Sequence, residues 1–320
     1  MLLNLEIMFH FCMMMGVIIA TGSNNWFTMW IGLELSLMSF IPIMSNKTKL
    51  NSESCIKYFI IQSLSSSIMM MGVIMMSTST NYKLMLALSI MLKLGMSPFH
   101  TWVISIVEGI NYNSIFIMLT IMKLAPINML SYMNMNLSLL IIMSLIMGSI
   151  SGLNQNSIKK MISYSSIFNL SFIISCINNF YIWILYFIIY SISLLLLTIV
   201  IMKTNFLYVN QLMLNNFNKS VKLTLWMTLL SMGGFPPLLG FFGKLMVLMY
   251  IFNTKNSLML MLMILGSLIV MFFYMRMIFL SIMFFSDLIK WNISFKIKFN
   301  SFILISMLMT PIILFNLKSY

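Results

Sequence analysis

Apolar runs about as long as a bilayer is thick recur along this chain, and they limit its fold more than any other feature. We place eleven of them, at 2–20, 26–44, 56–79, 84–107, 113–131, 136–153, 160–177, 180–202, 222–252, 257–284 and 299–316. A helix needs roughly twenty residues to cross the hydrocarbon core. Lipid offers no water to backbone N–H and C=O groups, so runs of this kind fold as helices that satisfy those groups internally. Charged residues make up 7% of the chain and hydrophobic ones 61%, whereas about a quarter of a soluble domain is charged. The expectation is an all-α polytopic membrane protein. The net charge of +13 does not point to nucleic acid, because the lysines lie one to three at a time between runs and form no patch.

Lysine placement orients the runs. Lys47, Lys49, Lys57, Lys159, Lys160, Lys203, Lys219, Lys222, Lys290, Lys296 and Lys298 fall on the side of the N-terminus. Lys83, Lys255 and Lys318 fall on the other. The positive-inside rule then sets the N-terminus on the positive side and, after eleven crossings, the C-terminus opposite. Lysines at such edges also suit anionic lipid headgroups.

Two runs are interrupted. The fourth reads Met91-Leu-Lys-Leu-Gly-Met-Ser-Pro-Phe-His-Thr-Trp102, with Lys93 deep in apolar surroundings and Gly95 and Pro98 directly after it. The ninth is broken between Gly233 and Gly240, and Lys244 follows. A mid-membrane lysine is unfavourable by about 2.5–3.5 kcal/mol on insertion scales, so it is kept for a function or snorkels to the headgroups. Apolar neighbours on both sides of Lys93 favour the functional reading. The two breaks are five runs apart, an odd number, so the units that carry them face opposite ways across the bilayer. Paired interrupted helices in inverted halves are the sequence pointer to a transport site near the midplane.

Few other ionisable residues fall inside runs. Glu34 lies in Trp-Ile-Gly-Leu-Glu-Leu, Lys123 in Lys-Leu-Ala-Pro-Ile with Pro126 a turn later, and Arg276 in Phe-Phe-Tyr-Met-Arg. His100 either relays a proton or caps the helix that restarts after Pro98, and Glu108 reads as an interfacial charge at the end of its run. The hydroxyls of Ser163–Ser166 suit either a proton path or close helix packing. Cys12, Cys55 and Cys176 are far apart and neither His10 nor His100 has partners at metal spacing, so no metal site, disulfide or redox centre is expected. The methionines, 39 in all, read as apolar filler. Three alanines and a single arginine beside so much Met, Ile and Asn suggest an AT-rich organellar gene. The N-terminus lacks an Arg-rich presequence, so the first run is expected to be retained.

The motifs around Glu34, Lys93 and Lys123, with Ser163-Tyr-Ser-Ser-Ile167 and Gly233-Gly-Phe-Pro-Pro-Leu-Leu-Gly-Phe241, resemble subunit 2 of mitochondrial NADH dehydrogenase (respiratory complex I) across nearly the whole chain. That resemblance implies an antiporter-like fold of eleven transmembrane helices: a first five-helix unit at 1–135, a second, inverted one at 136–285, and a loop with a C-terminal helix at 286–320. Each unit would carry a discontinuous fourth helix. The implied function is proton translocation through Glu34, Lys93, Lys123 and Lys244, driven by electron transfer from NADH to ubiquinone in other subunits. NADH, flavin, iron–sulfur clusters and ubiquinone would all be held elsewhere, with no cofactor in this chain. Subunits 4 and 4L, supernumerary subunits and lipids such as cardiolipin would be its partners. The setting would be the inner mitochondrial membrane, with the N-terminus in the matrix and the C-terminus in the intermembrane space.

For the mechanism, burial opposes the ammonium form of Lys93. A carboxylate about 6 Å away at an effective dielectric of about 20 would be worth about 2.8 kcal/mol, or about a hundredfold in proton affinity. Glu34 and Lys93 are therefore expected to act as a switch, with Lys123 and Lys244 continuing the line through water. The same axis would serve a stand-alone sodium/proton antiporter, and a scaffold subunit could retain it without pumping.

Overall fold

The computed structural model describes residues 2–283 apart from 46–47, 77–81, 134, 215–218 and 237. The expected eleventh run, 299–316, and the loop before it lie outside the described residues. Among the described residues the chain is all helix, save for an isolated antiparallel bridge between Ser157 and Tyr208. The helices are α1 (Leu2–Gly22), α2 (Trp26–Met44), α3 (Lys49–Met75), α4 (Tyr82–Leu94), α5 (Thr101–Gly109), α6 (Tyr112–Leu119), α7 (Ile121–Ser131), α8 (Ser138–Leu153), α9 (Ile158–Ser175), α10 (Phe180–Thr204), α11 (Gln211–Leu214), α12 (Lys219–Gly233), α13 (Leu239–Asn253) and α14 (Ser257–Met283). Among the described residues, six segments are long and apolar enough to cross a membrane: Leu5–Gly22, Trp26–Met44, Lys49–Met75, Tyr112–Ser131, Phe180–Thr204 and Ser257–Ile282. The protein is a multi-pass helical membrane protein.

The chain divides into two compact units, Met1–Leu140 and Ile141–Tyr320. In the first, α1 packs on α2, α2 on α3, α3 on α4 and α5, α4 on α7, and α7 back on α1. In the second, α9 has fifteen of its eighteen residues buried. The helix α10 packs on α12 and α13, and α14 packs on α12, α13 and α9. Large apolar side chains on the outward faces stay exposed, such as Phe11 on α1, Leu64 on α3 and Phe272 on α14, as suits a lipid-facing wall.

Both expected breaks are present, and they share one backbone device. At the first, Gly95 has φ +67°, its N–H bonds Met91 O and Leu92 O, and the Met96 N–H reaches back to Met91 O (3.3 Å). At the second, Gly234 has φ +80°, its N–H bonds Leu230 O and Ser231 O, and the Phe235 N–H reaches Leu230 O (3.0 Å). This is the Schellman ending, in which a left-handed residue, best glycine, turns the chain and satisfies the last carbonyls. Proline follows within three residues in each case (Pro98, Pro236), and it cannot continue the helix it leaves.

A third interruption was not expected. The fifth run is split at Thr120, with φ −118° and ψ −80°, between α6 and α7. Thr120 Oγ1 donates to Phe116 O (2.7 Å), a local bond of the kind that bends helices. Pro126, a turn after Lys123, sits inside α7.

Candidate functional site

Three buried lysines, Lys93, Lys123 and Lys244, lie close to a helix interruption. Lys93 is two residues before Gly95, in the last turn of α4. Lys123 is three residues after Thr120, in the first turn of α7. Lys244 lies in the second turn of α13, just beyond the second break. Their exposures are 7%, 3% and 5%, so all three ammonium-bearing chains are removed from both lipid face and bulk water.

In the first unit Lys93 and Lys123 line one narrow cavity, with Ser36, Tyr58, Gln62 and Trp102 also in its wall. Glu34 on α2 is half-buried, and its charge is felt at both Lys93 and Tyr58. Its Oε1 is buried and accepts no hydrogen bond from the described residues. The break leaves carbonyls of α4 without helical partners. Trp102 Nε1 donates to Leu92 O (3.1 Å), and Gln62 Nε2 to Lys93 O (3.5 Å). The Trp102 ring also lies 6.3 Å from that of Tyr58, centroid to centroid. The end of α4 carries the negative pole of its dipole and the start of α7 the positive pole, so one cavity holds two lysines in opposite local fields.

In the second unit Lys244 Nζ donates to Gly233 O (2.7 Å), a carbonyl freed by the break itself. It also lies 5.7 Å from the centroid of the Phe168 ring, within range of a cation–π contact. A narrow cavity adjoins it, walled by Asn169, Tyr186, Tyr190, Ser193 and Ser231. No Asp or Glu occurs anywhere from 141 to 286, so this lysine is held by neutral groups alone. Arg276 on α14 is treated likewise: Nη1 donates to Leu153 O and Nη2 to Gln155 O, both at 2.8 Å, at the end of α8.

The structure thus brings Lys93 and Lys123 to one cavity of the first unit and sets Lys244 beside another in the second, while Glu34 is not in the wall of the first. His100 is buried at the N-cap position of α5 but caps no amide; its Nδ1–H donates to Pro98 O (3.2 Å), and it is not in the wall of the lysine cavity. Glu108 is exposed at the end of α5. The hydroxyls of Ser163, Ser165 and Ser166 each donate to a carbonyl three residues back in α9. Sequence reasoning passed over Tyr58, Gln62, Asn169 and Tyr190. The signal for two of them was present, since Gln62 and Asn169 are amides in the middle of apolar runs, where an unbonded amide is expensive.

The sequence matches the family described as NADH:quinone oxidoreductase/Mrp antiporter, transmembrane, over residues 23–270. It is 37% identical to NADH-ubiquinone oxidoreductase chain 2 of Anopheles gambiae, covering 84% of this chain and 83% of that one. Against the chain of the same name from Locusta migratoria the identity is 32%, over 92% and 90%. Among solved structures it superposes on a chain of respiratory complex I from Thermus thermophilus with a TM-score of 0.76 at 19% identity, covering 86% of this chain and 69% of that one.

Proposed function

The chain belongs to the NADH:quinone oxidoreductase/Mrp antiporter family, and from that membership and its buried lysines we infer that it is the chain-2 membrane subunit of a proton-translocating NADH:ubiquinone oxidoreductase. The observation that carries the pumping role is the shared cavity of Lys93 and Lys123, with the charge of Glu34 acting at Lys93. While Glu34 is a carboxylate, its field holds the Lys93 ammonium. When Glu34 is neutralised, burial favours the free amine, and a proton passes through cavity water to Lys123. Interacting groups of this kind titrate as a set, so a charge change at one end is felt at the other. Lys244 continues the path in the second unit, and His100 is left as an accessory relay.

In this reading the two breaks mark equivalent helices of two inverted five-helix units. This chain holds no cofactor of its own; NADH, flavin, iron–sulfur clusters and ubiquinone belong to other subunits of the complex. Subunits 4 and 4L and supernumerary subunits flank it, and cardiolipin-like lipids meet its edge lysines. It sits in the inner mitochondrial membrane with the N-terminus on the matrix side and the C-terminus on the intermembrane-space side.

The test is Lys93→Ala in the assembled complex. Protons moved per NADH oxidised are expected to fall while assembly on native gels is retained. An unchanged yield would reduce the chain to a scaffold. Reconstituted alone in vesicles, the chain is expected to leave sodium and pH gradients intact; dissipation would mark a self-sufficient antiporter.

A further inference from the structure

The wall of the Lys244 cavity contains four hydroxyl-bearing side chains, and three have committed their protons. Tyr186 donates to Asn169 Oδ1 (2.9 Å), Ser193 to the backbone O of Tyr190 (2.9 Å), and Ser231 to Thr228 O (2.7 Å). The fourth, Tyr190, is 4% exposed, yet its hydroxyl makes no hydrogen bond of normal geometry with any described residue. The Ser166 hydroxyl lies near it, but Ser166 gives its own proton to Ser163 O (2.7 Å). Buried polar groups are bonded in the great majority of cases, so an exception calls for a reason. Packing does not supply one, since a phenylalanine would fill the same space without an unbonded hydroxyl. Tyr274 on α14 illustrates the ordinary case: it is equally buried, and its hydroxyl donates to Ser165 Oγ (2.8 Å).

We propose that Tyr190 is the proton relay of Lys244, its uncommitted phenol passing protons to and from Nζ across the cavity. The inference rests on the pumping reading above. In the loading step the Tyr190 O–H bond breaks as a new N–H bond forms on the free amine of Lys244. The phenol oxygen regains a proton from a hydronium ion arriving on cavity water, which is left as water. The lysine ends one proton richer and the tyrosine unchanged; the reverse sequence discharges it. The cavity has room for about one water, so a side-chain hydroxyl is needed to complete the connection.

The experiment compares Tyr190→Phe, Tyr274→Phe and Lys244→Ala in the assembled complex, reading native-gel assembly, proton-coupled turnover and its solvent deuterium isotope effect. Tyr190→Phe is expected to assemble fully, to slow proton-coupled turnover on the order of tenfold or more, and to alter the isotope effect. Tyr274→Phe is expected to leave turnover and isotope effect as they were. Parental turnover in Tyr190→Phe beside a slowed Lys244→Ala would overturn the relay alone. Parental turnover in Lys244→Ala would overturn the pumping reading beneath it. Loss of assembly in Tyr190→Phe, or equal slowing in both phenylalanine variants, would show that the hydroxyl serves packing and would overturn the relay.

Discussion

At the first break the freed carbonyls of α4 are taken by Trp102 and Gln62, and Lys93 is left to the field of Glu34. At the second, the freed carbonyl of Gly233 is taken by Lys244 itself, with the Phe168 ring beside it. The backbone turn is the same in both, so the turn does not dictate how a buried cation is held. A carboxylate can be neutralised, and its hold on a lysine then disappears. A carbonyl dipole cannot be titrated, and its hold is constant. Under the proposed pumping reading, the first unit has a site whose charge state is switched from within, whereas the second changes only by gaining or losing a proton through its neighbours. Arg276, bonded to Leu153 O and Gln155 O, extends the neutral pattern to another part-buried cation of the second unit.

The strongest way to break this contrast is at the two glycines. A side chain at Gly234 meets φ +80° and brings a Cβ within 2.8 Å of Lys244 Nζ. Gly234→Val is expected to destabilise the protein by about 3 kcal/mol, combining left-handed strain with overpacking, and to displace Lys244 from its carbonyl. Gly95→Val meets the Val103 side chain instead, so it should lower the melting temperature similarly while leaving Lys93 in its cavity. Equal loss of proton yield per assembled complex in both variants would mean that Lys244 has no special tie to its break. Next in size is Glu34→Gln, which removes the switchable field and keeps the shape. Proton yield through the first unit is expected to fall on the order of tenfold, short of the hundredfold a fully buried pair would give, because Glu34 is only partly buried and is screened. An unchanged yield would erase the electrostatic half of the comparison. The smallest effect is expected for Arg276→Lys. It replaces a planar fork serving two carbonyls with a point charge that serves one, and should weaken the α8–α9 turn by about 1–2 kcal/mol, read as faster hydrogen exchange there with none in the first unit.

Much of the fold was legible because lipid leaves the backbone so few options: apolar length alone placed α1, α2, α8, α10 and α14. The two glycine–proline breaks were legible because both residue types act locally on φ. The interruption at Thr120 was hidden, since threonine bends a helix only through a side-chain bond that its neighbours must permit. The lysines announced themselves as charges in apolar runs. The partners of Lys244 did not, because a carbonyl and a phenyl ring look in sequence like ordinary helix content; only their convergence distinguishes them. His100 had the right position for a cap, but its ring turned to Pro98 O, a choice set by the turn between α4 and α5.

The indole that closes the first break is also a built-in optical probe. Trp102 sits in the cavity wall, with its N–H on Leu92 O and its ring near Tyr58. Its emission therefore responds to any wetting or drying of the space between Lys93 and Lys123. In a chain whose other five tryptophans were replaced by phenylalanine, a red shift on energisation would let the filling of that chamber be followed in real time, without attaching a label.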